Sequence, residues 1–406
     1  MRILHTSDWH LGQRFHGRER YEEHAAALDW LVQTIQAEQV ETLIVAGDVF
    51  DVNNPPNNAR RLYYQFLTRL RTTPCRHVVI IAGNHDSPNM LEAPRELLRE
   101  LGIHVIGAAT EDIADELITL HDDHGKPEAL VAAVPFLRDQ DLRRTLSVES
   151  AAARFERVRQ AISQHYHSLA AAIPAEFKSA DLPVIATGHL YASGAQASDR
   201  QDNIYLGNLE NISASDFPEA FHYVALGHIH RPQAVGGMSH IRYSGSLIPL
   251  SFSETKDQKC VVLLDFEGAH LAAIREIEVP VFRRLKTITG ELDYVKERLE
   301  RLHRDYNEGL PAWVEVVVTG QDLTPSVADD LRAFVESLRC EILIVKLIGN
   351  KEEYGRPLTG TDLHALTPEE VFRRRCELEG YSKEKMDELM RTFRELREWM
   401  QAQDAY

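Results

Sequence analysis

Aspartate, asparagine and histidine recur in five short motifs of this chain: Asp8-Trp9-His10, Gly47-Asp48, Gly83-Asn84-His85-Asp86, Gly188-His189 and Gly227-His228-Ile229-His230. Their donors are carboxylate, amide oxygen and imidazole with no sulfur, a mixture that suits two first-row divalent ions. Manganese or iron fits it, zinc stays open, and calcium or magnesium, which favour all-oxygen shells, match four imidazoles poorly. Residues two apart on extended or turning backbone point the same way, so both members of Asp8/His10 and of His228/His230 can reach one cluster. Asp48, with two carboxylate oxygens, can bridge. Two such ions bring four positive charges and Asp8 and Asp48 remove two, which leaves about two as a local trap for phosphate. Ions roughly 3.5 to 4 Å apart also acidify a bridging water and clamp both oxygens of an in-line displacement at phosphorus. Each motif alone reads equally well as a surface turn or a satisfied structural histidine. All five at strand ends do not, since strand ends need no imidazoles and buried imidazoles need partners.

The elements that must position them alternate a short β-branched run with an amphipathic stretch from residue 1 to about 280, the pattern of an α/β layered domain. Strands are expected at Ile3 to His5, Thr42 to Ala46, His77 to Ala82, Leu130 to Val134, Val184 to Thr187 and Tyr223 to Leu226, with further strands at 261–266 and 271–279. Helices are expected around 21–38, 58–71, 90–101 and 150–171. On the helix at 58–71, Leu62, Tyr63 and Phe66 suit either the core or a dimer face. The motifs then fall where strands end, the edge at which open α/β sheets place their sites. A second unit follows Pro280: a strand at 284–289, a helix presenting Leu292, Val295, Leu299 and Leu302, a strand at 313–318, a helix at 326–339 and a strand at 341–348. Residues 349–363, with three glycines and a proline among charges, read as a linker. Thr367, Pro368 and Glu370 then open a helix to about 379, Gly380 closes it and Ser382 caps another, on which Leu389, Phe393, Leu396 and Met400 form a stripe. The stripe suits its own chain's core or a partner surface equally.

Composition narrows the class. The chain has 406 residues, is 44% hydrophobic and 26% charged, and carries a formal charge of −17. At roughly 150 residues per domain this is a folded protein of two or three domains. The acidic balance opposes generic basic-patch binding of nucleic acid, so a phosphate partner needs a locally positive site. Apolar runs of four to six residues are far from the roughly 20 that span a bilayer. The opening residues hold Asp8 and His10 where a secretory signal needs an apolar stretch, and a cytoplasmic location is expected. Cys75, Cys260, Cys340 and Cys376 are widely spaced and read as free thiols. The chain has no phosphate-cradling GxxxxGK[ST] motif, so ATP hydrolysis is not expected of it.

The order Asp-x-His, Gly-Asp, Gly-Asn-His-Asp, Gly-His, Gly-His-x-His resembles the calcineurin-like metallophosphoesterases. The blocks LHTSDWHLGQ, VAGDVFD, IAGNHDS and ALGHIHRPQ resemble the nuclease subunits of that family that work with an SbcC-type coiled-coil ATPase. The resemblance implies a two-sheet α/β metallophosphoesterase sandwich flanked by helices (1–280), a small α/β capping domain (281–348), a linker (349–363) and a C-terminal helix-loop-helix (364–406) that grips the ATPase around Val371, Phe372, Leu389 and Phe393. It implies one ion, most simply Mn2+, on Asp8, His10, Asp48 and His230, and a second on Asp48, Asn84, His189 and His228. His85 then sits over the scissile phosphate as a charge stabiliser or proton donor, oriented by Asp86; a hydrogen-bonding role behind the ligands is its alternative. Where some relatives carry a second histidine near the metals this chain has Asp51, which suits a structural turn. The implied activity is exonuclease on duplex DNA ends and endonuclease on single strands and hairpins, in DNA repair and recombination, by a homodimer within a heterotetramer.

Arg14, Arg18 and Arg20 are the candidates for contact with the DNA backbone, against the default of solvated arginines. His121, His124, His165 and His167 read as surface residues. Two other functions compete: a stand-alone phosphodiesterase for small esters, which needs no partner-docking tail, and a non-catalytic scaffold, which has no use for His85.

Overall fold

A computed structural model describes residues 1–138, 141, 151–193, 195, 212–306, 308–320, 323–324, 326–349, 372–373, 376, 385–386 and 389–393, with backbone only at 151–155 and 178. Two six-stranded sheets form the body. In the first, Arg2–Thr6, Thr42–Ala46, His77–Ile81 and Ile103–Ile106 run parallel, and Cys260–Glu267 and His270–Glu278 extend the far side antiparallel. The second runs in the order Gln233–Val235, Met238–Tyr243, Tyr223–Gly227, Val184–His189, Pro127–Ala132, Leu117–His121.

The unbroken apolar runs follow from this layering, because a strand covered on both faces has no polar side. Along Thr42–Ala46, Leu43 and Val45 enter the core beneath the outer helices while Ile44 and Ala46 enter the core between the sheets, the period-two alternation of a strand. Val131, Ile185 and Ala225 of the second sheet meet Ile44 there. The helices Tyr21–Ala37 and Asn57–Leu70 cover the first sheet through Leu31, Ile35 and Phe66, and Ala151–Ala172 covers the second through Ile162, Tyr166 and Leu169. Leu62, Tyr63 and Phe66 are buried in the outer core. The fold is thus the helix-flanked two-sheet sandwich that the sequence implied.

Three expectations change. The helix at 90–101 is two short helices, Pro88–Glu92 and Arg95–Arg99, parted at Pro94, whose ring cannot continue a helical hydrogen-bond ladder. The helix at 326–339 ends at Phe334 and tightens into a single 3₁₀ turn, Val335–Ser337. Ile103–Ile106, Leu117–His121, Gln233–Val235 and Met238–Tyr243 were not foreseen as strands; the last, MSHIRY, buries only two of six residues and so carries little apolar signal.

After Pro280, the parallel strands Arg283–Gly290 and Leu310–Gly320 are joined by the helix Leu292–Asp305, which buries Val295, Leu299 and Leu302. Cys340–Gly349 completes a three-stranded sheet. The chain separates into two compact units, 1–318 with 325–346 and 319–324 with 347–406. Within the second, Phe372 stacks on Phe393 at 4.4 Å between centroids and 8° between planes. Nearly all of the expected linker and its successors Thr367, Pro368, Glu370, Val371, Gly380, Ser382, Leu396 and Met400 lie outside the described residues. The four cysteines are free and buried.

Candidate metal centre

Strand register builds the site. Thr6 pairs with Val45, Ala46 with Ile81, and Gly227 with His189, so the loops after these strands leave at one edge of the sandwich. Backbone bonds then tie loop to loop: the N–H of Asp8 donates to the Gly47 carbonyl and that of His10 to the Asp48 carbonyl, each at 3.0 Å. The approach leaves no room at the glycines. A Cβ on Gly227 would lie 1.9 Å from the Ala46 oxygen, and one on Gly83 2.2 Å from Asp48 Oδ1. Asp8, His10, Asp48 and His228 hold left-handed backbone, with φ of 51°, 47°, 50° and 100°, a region uncommon outside glycine and costing about 1–3 kcal/mol at each such residue.

Seven candidate ligands converge. Asp8, His10 and His230 form one group, and Asp48, His189 and His228 another, the donor atoms of each lying within 4.8 Å of one another. Asn84 joins the second, its Oδ1 being 3.1 Å from His189 Nε2 and 2.9 Å from His228 Nδ1. Asp48 Oδ2 lies 3.4 Å from His10 Nε2 and 3.3 Å from His189 Nε2, between the two groups, as a bridging carboxylate must.

Four imidazoles are oriented in one manner, whereas His228 turns its Nδ1 inward, toward Asn84 Oδ1 and His189 Nε2. His189 Nδ1 donates to the Ala46 carbonyl at 2.9 Å, and His85 Nδ1 to the Asp51 carbonyl at 2.7 Å. His10 Nδ1 faces the Asp51 carboxylate at 3.1 Å and His230 Nδ1 the Glu254 carboxylate at 3.3 Å. A carbonyl or carboxylate on Nδ1–H leaves the Nε2 lone pair for a cation, the arrangement that orients metal-bound histidines. His10 Nε2 is buried and has no hydrogen-bond partner. An orphaned imidazole nitrogen beside two carboxylates is costly unless a cation takes it, so the residues fit a two-metal centre.

The local field agrees. Burial opposes charge on His10, but Asp51, Asp48 and Asp8 overcome it and raise its pKa to about 9. For His189 burial is likewise outweighed, chiefly by Asp48, and the value is again about 9. Burial of Asp48 is overcome by His189, His10 and His85, which hold its pKa well below the ordinary carboxylate range. His228 goes the other way, pushed well below the usual imidazole value by burial and then by His189. The same carboxylate field that favours a proton on His10 and His189 favours a cation in its place, which leaves both rings neutral and free to ligate.

Three expectations about single residues are corrected. Asp86 does not orient His85: its buried carboxylate accepts the backbone N–H groups of Gly83, Val49 and Phe50 at 2.9, 3.1 and 2.9 Å, pinning the Asn84 loop to the Asp48 loop. The Asp51 carbonyl holds the His85 ring instead. Arg20 is 1% exposed, ion-paired to Glu23 and bonded to the Pro249 carbonyl, so it cannot reach a ligand. Of the other two arginines, Arg18 is exposed but paired with Glu341, and Arg14 is exposed and donates to the Gly17 carbonyl. His165 is not a free surface residue, since Nε2 meets the buried Glu116 carboxylate at 2.7 Å.

Sequence reasoning missed the role of Asp51, which touches His10 and His85, and missed Glu254, which lies against His230 and pairs with buried Lys259 at 2.7 Å. It also missed Ser7, whose hydroxyl donates to Asp8 Oδ2 at 2.5 Å. Adjacency to a motif was the available signal for Asp51 and Ser7; Glu254 and Lys259 carry none.

The calcineurin-like phosphoesterase family matches residues 1–232, and the chain belongs to that family. A second family, described as the type 5 capsule protein repressor C-terminal domain, matches residues 281–380. The chain is similar to proteins named as the SbcD nuclease component of SbcCD: it is 39% identical to that of Escherichia coli K12 over 97% of each chain. It is 37% identical to that of Rhodobacter capsulatus over 92% of this chain and 93% of the relative, and 36% identical to that of Bacillus subtilis over 68% and 69%. No helix among the described residues is long and apolar enough to cross a membrane.

Proposed function

We propose that this chain is the nuclease subunit of an SbcCD-type complex, hydrolysing DNA phosphodiesters at the strand-end cluster as an exonuclease on duplex ends and an endonuclease on single strands and hairpins, in DNA repair and recombination. One observation carries the reading: Asp48 lies between two metal-ligating groups, Asp8, His10 and His230 on one side and His189 and His228 on the other, and exposed His85, which groups with His10 and Asp51, stands at their edge with Nδ1 held by the Asp51 carbonyl. Similarity over 97% of both chains to a protein named as this nuclease supports the substrate class. A stand-alone small-ester phosphodiesterase is disfavoured by the same full-length similarity, and a scaffold by the complete ligand set.

Asp8, His10, Asp48 and His230 would hold one cation and Asp48, Asn84, His189 and His228 the other, with Mn2+ the ion that suits the mixed oxygen and nitrogen donors. When bound, the pair supplies charge neutralisation at the phosphate and acidifies a water. Asp51 and Glu254 keep the His10 and His230 lone pairs turned inward. His85 is exposed, with Nδ1 fixed on the Asp51 carbonyl, so Nε2 is the atom that meets the leaving oxygen and delivers its proton. Arg14 and Arg18 remain the arginines able to touch the DNA backbone. Residues 281–348 cap the enzyme, 349–363 link, and 364–406, with Phe372 on Phe393, bind the SbcC-type ATPase. The assembly is a cytoplasmic heterotetramer with two copies of this chain.

The test compares wild type and His85→Gln on a hairpin DNA and a small chromogenic diester, with and without manganese. The variant is expected to keep two bound ions and lose cleavage by roughly 10²- to 10⁴-fold. Loss of metal together with cleavage would place His85 among the ligands, and a wild-type chain that cleaves the diester but no DNA would overturn the nuclease reading.

A further inference from the structure

Between the phosphoesterase layers and the module after Pro280, both within the first compact unit, lies a cavity of about 640 Å³, a size typical of ligand clefts. Seven basic and three acidic side chains line it, the reverse of a chain at −17. Four of the seven cations are engaged: Lys259 with Glu254, Arg283 with Glu23, Arg301 with Asp305, and Arg284 over the Tyr306 ring at 4.7 Å. Lys256, Lys286 and Arg298 have no ion pair or hydrogen bond among the described residues. They come from three elements: the loop after Glu254, the Arg283–Gly290 strand and the Leu292–Asp305 helix.

Unpaired cations grouped around one concavity repel one another and raise the local potential, a disposition that a polyanion relieves. Their origin on three separate walls suits a run of phosphates along the cleft better than a single small anion held in one nest. The loop that presses Glu254 on His230 continues as Thr255 to Lys259 into the cavity wall, so the cleft adjoins the metal centre through one segment. We infer that this cleft binds the sugar–phosphate backbone of the DNA substrate away from the scissile bond, through Lys256, Lys286 and Arg298. The inference rests on the nuclease reading for the identity of the polyanion.

The experiment measures binding of the full chain to a fluorescent hairpin DNA in EDTA, so that cleavage plays no part, across a salt series, for wild type and for the triple variants Lys256→Glu/Lys286→Glu/Arg298→Glu and Lys256→Gln/Lys286→Gln/Arg298→Gln. The expected result is a tenfold or greater loss of affinity in the glutamate variant. In the glutamine variant the magnitude of the log–log salt slope should fall by about 2.7, the value for three lost phosphate contacts on a duplex stem. Hydrolysis of the small diester with manganese should stay within twofold of wild type in both, which also reports that they fold. Unchanged affinity and slope would overturn the inference. So would a variant that loses binding of inorganic phosphate alone while holding DNA as before, which would make the cleft a small-anion site. A wild-type chain that binds DNA through the cleft yet cleaves none would sink the nuclease reading and leave the cleft standing.

Discussion

The strand-end loops and the loop from Gln13 to Arg20 differ in what fixes them, although they adjoin in sequence. In the former, each candidate ligand ends or follows a strand whose register is set by its neighbours, and Asp8, Asp48, Asn84, His189 and His228 come together from separate strands. In the latter, three arginines of like type and spacing end in three environments: Arg20 buried on Glu23, Arg18 on the surface against Glu341, Arg14 exposed. A ladder inside a six-stranded sheet transmits position from strand to strand, whereas Arg14 and Arg18 ride on an isolated two-residue hairpin, Arg14–Phe15 against Arg18–Glu19, whose side chains are placed by whatever happens to face them. Function read from a motif is therefore safer at the end of a buried strand than on a small outlying hairpin.

The sharpest way to break this contrast is at its pivot. Asp48→Asn removes the carboxylate shared by both groups, and should reduce bound metal below two ions per chain by elemental analysis and abolish cleavage; two retained ions would mean that the loops, and not Asp48, hold the pair together. Next comes Glu254→Gln, which strips the partner from buried Lys259 and should cost about 3–5 kcal/mol in denaturant unfolding. It should also weaken manganese binding by roughly 10- to 100-fold by loosening His230. Arg20→Met leaves Glu23 buried with less charge compensation and should cost a similar ~3–5 kcal/mol, while Arg18→Met, at the exposed pair, should stay within about 1 kcal/mol. Equal losses at the two arginines would erase the distinction between them.

A smaller effect concerns acid. Burial holds the His5 pKa down to about 3 in the folded chain, while the unfolded chain binds that proton near pH 6.5. The unfolded state thus takes up more protons as pH falls below 6.5, and stability drops, by roughly 2 kcal/mol at pH 5 for this residue. Unfolding free energies of wild type and His5→Gln should diverge between pH 7 and 5, the variant losing less; parallel curves would show that His5 does not carry the acid sensitivity.

The two sheets and their helices were legible because unbroken apolar runs and amphipathic stretches are dictated by burial on two faces or one. The cluster of candidate ligands was legible because its members sit where those runs stop. Asp86 was misread because a carboxylate beside a histidine looks like its orienter, whereas three backbone N–H groups on two loops claim it first. Glu254 and Lys259 were invisible because it is the 3₁₀ turn Phe252–Glu254 and the loop after it that bring these two residues, five apart, face to face beside His230, a geometry no local pattern encodes. The strand Met238–Tyr243, paired on both sides, escaped for a related reason, since its stability comes from neighbours and not from its own apolar content.

Asp8, His10, Asp48 and His228 adopt a twist that most amino acids resist. Aspartate and histidine are among the few that accept it readily, and they are also the ones that can grasp a cation. Each of these four positions is answerable to two masters at once: a β-branched replacement fails on shape before chemistry is asked, and a glycine satisfies shape while leaving the ion with one hand fewer. Those places leave little room for single substitutions, and retuning falls more readily to the residues standing behind them, Asp51 behind His10 and Ser7 behind Asp8.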